Sequence, residues 1–192
     1  MLTVTLSNTL TSYATLSCTF DIFSQPLVSS STITTMKILL IALEGINLSA
    51  GYVVREMSIY FPDDMESRHY FFAPPNTLEL TPADRQTDRY TRMQLGGLGL
   101  FTSISGCLQA DALVPILEGI ATYDVHCAGH VAQKFLSAVL PNTKVVDIQS
   151  TTDFTFAKEL PSAWCGVHHR PRYCSLAKLW SIKAFMEFNS LI

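Results

Sequence analysis

The hydrophobic positions from Lys37 onward fall into short runs whose period changes along the chain. Lys37-Ile38-Leu39-Leu40-Ile41-Ala42-Leu43 is an almost continuous apolar stretch, the pattern of a strand covered on both faces. Glu44 to Ala50, with Gly45 and Asn47, predicts a turn, and Tyr52 to Phe61 a second strand. A third strand is expected around Arg68–Phe72, stopped by Pro74-Pro75. The spacing then becomes helical. Thr81-Pro82-Ala83-Asp84 places a capping Thr, a Pro at the first helical position and an acid at the third, which opens a helix reaching about Met93. A helix is also expected at Asp111–Ile120 despite Pro115 in its interior, then a strand at Tyr123–Cys127 and a helix at His130–Leu140. A short strand at Lys144–Ile148 and a final helix at Cys174–Phe188 complete the series. Three neighbouring strands followed by alternating helices and strands predict an α/β domain: a mixed sheet, its antiparallel three-strand meander extended by parallel strands and flanked by helices.

Residues 1–35 do not share this pattern. They carry no Lys or Arg, one acid (Asp21) and an excess of Ser and Thr. They are expected to form a poorly ordered extension, with the domain proper over residues 36–188. Composition otherwise fits a globular chain of 192 residues, 48% hydrophobic and 15% charged. The formal net charge of −3 runs against a broadly basic nucleic-acid footprint. Locally the balance reverses: beyond Leu160, Arg170, Arg172, Lys178 and Lys183 face a single acid, Glu187. No apolar run is long enough to span a bilayer, so a soluble protein is expected. Five cysteines without a repeating spacing fit a reduced, intracellular setting, cytoplasmic or nuclear, better than a disulfide framework.

Chemistry concentrates in Cys165-Gly166-Val167-His168-His169-Arg170-Pro171-Arg172-Tyr173-Cys174. Two thiols and an imidazole within one short stretch suit zinc, which favours sulfur and nitrogen ligands in a tetrahedron. Cys165 and His168 are separated by two residues, so one tight turn can direct both at an ion; His169 is the alternative imidazole. Cys174 stands where the last helix begins, a position that favours a thiolate. Three ligands do not close a structural site, and Glu44, at the end of the first strand, is the expected fourth. Glu44 also has a catalytic reading, since acidic nucleases hold two metal ions with carboxylates at that point. Ala42, two residues earlier, leaves no Asp-x-Glu pair.

Leu43-Glu44-Gly45 followed by Gly51 to Ile59 resembles the opening of DEDD-type 3′–5′ exonucleases, and His169 to Cys174 resembles their final His-x4-Asp motif with Cys174 in place of the acid. The pattern of a glutamate, then Cys-x-x-His and a later Cys, is closer still to the Maelstrom domain, an RNase H-like relative of these nucleases that carries a Glu-Cys-His-Cys zinc site in place of the catalytic acids. The resemblance implies an RNase H-like fold and a zinc set of Glu44, Cys165, His168 and Cys174. It also implies a nuclease-derived module that binds single-stranded RNA or DNA, in a small-RNA-pathway, viral or mobile-element setting; the locally basic balance makes Arg170, Arg172 and Lys178 the expected contacts. Two alternatives accompany it. One is an active exonuclease or RNase using magnesium or manganese, with Glu44 and His169 as its catalytic residues. The other is a protein-interaction domain that retains only the fold.

Overall fold

The computed structural model describes residues 37–95, 97–156, 165–168 and 170–192. The expectation of an N-terminal extension therefore lies outside the described residues, as does His169.

Five strands form one sheet in the order β3-β2-β1-β4-β5. They are β1 (Ile38–Leu48), β2 (Gly51–Phe61), β3 (Glu66–Phe71), β4 (Asp124–Cys127) and β5 (Val145–Asp147). β1, β2 and β3 are an antiparallel meander, whereas β4 runs parallel to β1 and β5 parallel to β4. The mixed sheet is flanked by helices, as the hydrophobic pattern predicts. α1 (Pro82–Tyr90) continues into a π-helical turn at Thr91–Leu95; α2 is Leu113–Glu118, α3 His130–Val139, α4 Ile148–Thr151 and α5 Ser175–Phe188.

Alternation along β1 divides the interior in two. Leu39, Ile41 and Leu43 point to the side of α2 and α3, where they join Leu117, Val125, Ala132 and Leu136. Leu40 and Ala42 point to the side of α5 and meet Leu179, Ile182 and Met186. Each of the larger side chains, the leucines, isoleucines, Val125 and Met186, contributes about 1.5–3 kcal/mol on removal from water, so both faces of the central strand hold the fold. Cys174 at the N-cap of α5 makes no side-chain capping bond, and the helix is anchored by its buried stripe.

Two local departures from expectation have clear causes. Glu44–Leu48 is strand and not turn, because the β1–β2 hairpin turns later, at Ser49-Ala50. The register shifts between Glu44 and Gly45: Glu44 pairs with Glu56 and Gly45 with Val54, leaving Arg55 as an extra residue. Gly45 is required there, since a Cβ would lie 2.2 Å from the Val53 carbonyl oxygen. In α2, Pro115 falls in the first turn, where its missing N–H would have no helical partner anyway. The helix is preceded by a 3-10 turn at Ala110–Ala112 and is shorter than its apolar pattern implies.

The bulge changes which face each β2 residue serves. Val54, Met57, Ile59 and Phe61 belong to the α2–α3 side, while Tyr60 belongs to the α5 side, together with Ser58 and Glu56 by alternation. Arg55 is fully buried, its guanidinium donating to the carbonyl oxygens of Phe72 (2.7 Å), Gly99 (2.7 Å), Leu100 and Thr102 (3.2 Å).

Candidate metal centre

Glu56, in the middle of β2, presents its carboxylate to the N-terminus of α5. Oε2 accepts the backbone N–H of Ser175 at 3.1 Å and lies 2.6 Å from His168 Nε2. The Cys174 thiol is 3.4 Å from Oε1 and 3.5 Å from the Cys165 sulfur. Glu56, Cys165, His168 and Cys174 thus bring four ligand atoms within 4.8 Å of one another, and Glu56, His168 and Cys174 are buried. Such a group could hold a metal ion. Among the described residues no second group of three or more such side chains converges in this way.

The donor set fits a small tetrahedral cation. Metal–sulfur bonds of roughly 2.3 Å put two thiolates roughly 3.8 Å apart, close to the 3.5 Å seen between Cys165 and Cys174. His168 Nδ1 is buried and has no hydrogen-bond partner among the described residues. Seating an ion between His168 and Glu56 requires their 2.6 Å contact to open by under one ångström, within the reach of small side-chain rotations.

The electrostatics of the group follow from burial opposed by pairing. Burial alone pushes the Glu56 carboxyl up, but the hydrogen bond and charge of His168, with help from His69 and the Ser175 N–H, bring it below its ordinary value. Burial draws the His168 imidazole down, and Glu56 more than reverses it. The Cys174 thiol is pushed up by donating to Cys165 and by burial; acceptance of that bond draws Cys165 down. His69, the register partner of Ser58 on β3, flanks the cluster. Its Nδ1 is 2.7 Å from Ser58 Oγ, which is itself 2.7 Å from Ser175 Oγ. Its Nε2 is 3.2 Å from Glu56 Oε1 but off the hydrogen-bonding direction.

Of the expected zinc set, Cys165, His168 and Cys174 come together, while Glu44 stands apart from them. Glu44 pairs instead with Lys178 at the end of the first turn of α5, and the cluster's carboxylate belongs to its register partner Glu56. Burial raises the Glu44 carboxyl, and Lys178 draws it part of the way back. The reason for the exchange is the bulge: it keeps Glu44 and Glu56 side by side on the α5 face, so two carboxylates compete for one helix end. Glu56 was obscured in the sequence by an apolar strand, although a lone acid between Val54 and Met57 was a visible irregularity. Of the expected basic contacts, Arg170 and Arg172 are exposed beside the cluster, and the Lys178 ammonium is engaged by Glu44.

No protein-family profile matches the sequence, and no curated protein is significantly similar to it. The site has to be read from its own geometry.

Proposed function

We propose that Glu56, Cys165, His168 and Cys174 bind one zinc ion as a structural staple, in an RNase H-like domain of nuclease descent that binds single-stranded nucleic acid. The observation that carries this reading is the convergence of two thiols, an imidazole and a carboxylate on one buried point. The strand order, with a meander followed by parallel strands, supports the RNase H-like comparison. Arg170 and Arg172 are exposed on the segment that carries the ligands, where phosphates could reach them.

Zinc in this position ties β2 to the chain around residue 165 and to the start of α5. It supplies positive charge to a buried carboxylate and two thiolates, and no catalytic step is assigned to it. Hydrolysis with two metal ions needs several converging carboxylates. Here Glu44 is paired with Lys178, Asp124 with Lys144 at 3.1 Å, and Asp147 accepts the backbone N–H groups of Gly129 and Gln149. These engagements count against the magnesium- or manganese-dependent exonuclease alternative. The protein-interaction alternative has one observation in its favour: Tyr90, Met93 and Phe101 are 56%, 62% and 67% exposed.

The test is elemental analysis of the purified chain joined to anisotropy measurements on labelled oligouridylate. Zinc at one ion per chain, lost in Cys174→Ser together with thermal stability, is the expected result. Binding should weaken with salt in proportion to the phosphates neutralised, by roughly −0.7 in log–log slope for each, and Arg170→Ala with Arg172→Ala should lower that slope. A metal-free protein of full stability overturns the staple; oligouridylate ignored at low salt overturns the nucleic-acid part.

A further inference from the structure

A cleft of about 340 Å³ lies along the second half of β1, between the end of α1 with its π-helical turn and the start of α5. Its lining includes Glu44, Asn47, Tyr90, Tyr173 and Lys178 and none of the four metal-centre residues. We propose that this cleft is a guanine-selective pocket, in which the Glu44 carboxylate and the Lys178 ammonium read the hydrogen-bonding edge of one unpaired base. The proposal rests on the single-stranded nucleic-acid reading above and gives that binding a base preference.

The polar part of the lining decides the ligand class. Glu44 and Lys178 keep 16% and 23% of their side-chain surface exposed, enough to meet a ligand while remaining largely out of water. Lys178 Nζ donates to Glu44 Oε1, and among the described residues Oε2 takes no hydrogen bond. An ionised carboxylate can only accept, and an ammonium can only donate. Each carboxylate oxygen can accept two hydrogen bonds, so Oε1 keeps room beside the Lys178 bond. The two oxygens together match an edge with two neighbouring donors, and Lys178 covers one acceptor next to them. Guanine has this edge, with N1–H and the N2 amino group next to O6. Adenine sets its N1 acceptor against the carboxylate, and cytosine and uracil each bring a single donor group to it.

The aromatic part supplies a surface for the base. The Arg172 guanidinium stands 5.4 Å from the centre of the Tyr173 ring, so a cation covers one side of a tyrosine that lines the cleft. Tyr90, 56% exposed, lines it too. Unpaired bases stack on tyrosine rings and arginine planes and are then read on their Watson–Crick edges. The Lys178 ammonium is also steadied, 5.5 Å from the centre of the Phe156 ring.

The deciding experiment is calorimetric titration of the metal-loaded full chain with guanosine, adenosine, cytidine and uridine 5′-monophosphates. Guanosine monophosphate should bind at least about tenfold tighter than adenosine monophosphate, the discrimination expected of a bidentate base contact. Inosine monophosphate, which lacks the N2 amino group, should fall between them. Glu44→Gln should erase the difference between guanine and adenine, and Tyr173→Ala should weaken all four nucleotides. Melting curves and metal content establish that each variant is folded, and the inosine comparison needs no variant. Equal binding of guanosine and adenosine monophosphates, or a guanine preference that survives Glu44→Gln, overturns the proposal. Oligouridylate bound without any guanine preference removes this pocket and leaves the nucleic-acid reading standing. Guanine preference without oligonucleotide binding keeps the pocket and removes that reading.

Discussion

Glu44 and Glu56 face each other across β1 and β2, yet each is stabilised by different partners. Lys178 neutralises Glu44, whereas Glu56 is surrounded by His168, Cys174 and the Ser175 N–H. Substitution should separate them cleanly. Glu56→Ala is expected to bring zinc content from one ion per chain to near zero, while Glu44→Ala retains the metal, with elemental analysis as the readout. The sequence exposed the two thiols and His168 because their spacing is local. It could not choose between the two glutamates, because that choice depends on a register shift more than a hundred residues away from the cysteines. Asp84 offers a residue-scale test in acid. Hydrogen bonds from Ser49 and Thr81 hold its carboxyl well below the ordinary 3.8. Its contribution to stability is complete above that ordinary value and is lost as the pH falls through the lower folded one. Asp84→Asn should therefore flatten the acid limb of a urea-stability profile without altering its shape near neutrality.

The elements were legible to different degrees, for physical reasons. β1 was readable because both of its faces are covered, so its apolar run is unbroken. α1 was readable because Thr81 and Asp84 form a reciprocal cap, seen in the structure at both ends of the box. The bulge was not readable: one extra residue leaves no mark on the hydrophobic pattern except the misplaced charge of Arg55. That guanidinium holds the chain at Gly99–Thr102 against β2 and β3, through carbonyl oxygens alone among the described residues. Arg55→Met keeps much of the volume but strands buried carbonyls, and should cost about 3 kcal/mol in equilibrium unfolding. Leu179→Ala, on the buried stripe of α5, should cost a similar amount, about 2–5 kcal/mol. Thr81→Ala, which removes one half of the α1 cap, should cost about 1 kcal/mol.

At the scale of the described residues as a whole, two hydrophobic interiors share one sheet, and the candidate metal centre sits at one end of the α5 side. Chelation should therefore loosen the molecule unevenly. Hydrogen exchange on the chelated protein is expected to rise first over residues 165–178, with β1 and β2 keeping their protection, since Leu39, Leu40, Ile41, Met57 and Ile59 are buried within the sheet's own hydrophobic interior. Uniform acceleration across the sheet would mean that the ion supports the entire core and not one corner.

The contacts of Glu56 with His168 and Cys174 bridge 112 and 118 residues of chain. The five strands of the described sheet have been made by Asp147, before any of Cys165, His168 or Cys174 leaves the ribosome. A growing chain can thus complete its sheet while Glu56 still waits for its partners, an acid destined for burial with nothing yet to bury it against. During that interval the Glu56 carboxylate lacks the His168 and Cys174 contacts that later enclose it. Sealing of the Glu56 site thus follows completion of the described sheet, and a chain cut before Cys165 would hold Glu56 without His168 or Cys174 to meet it.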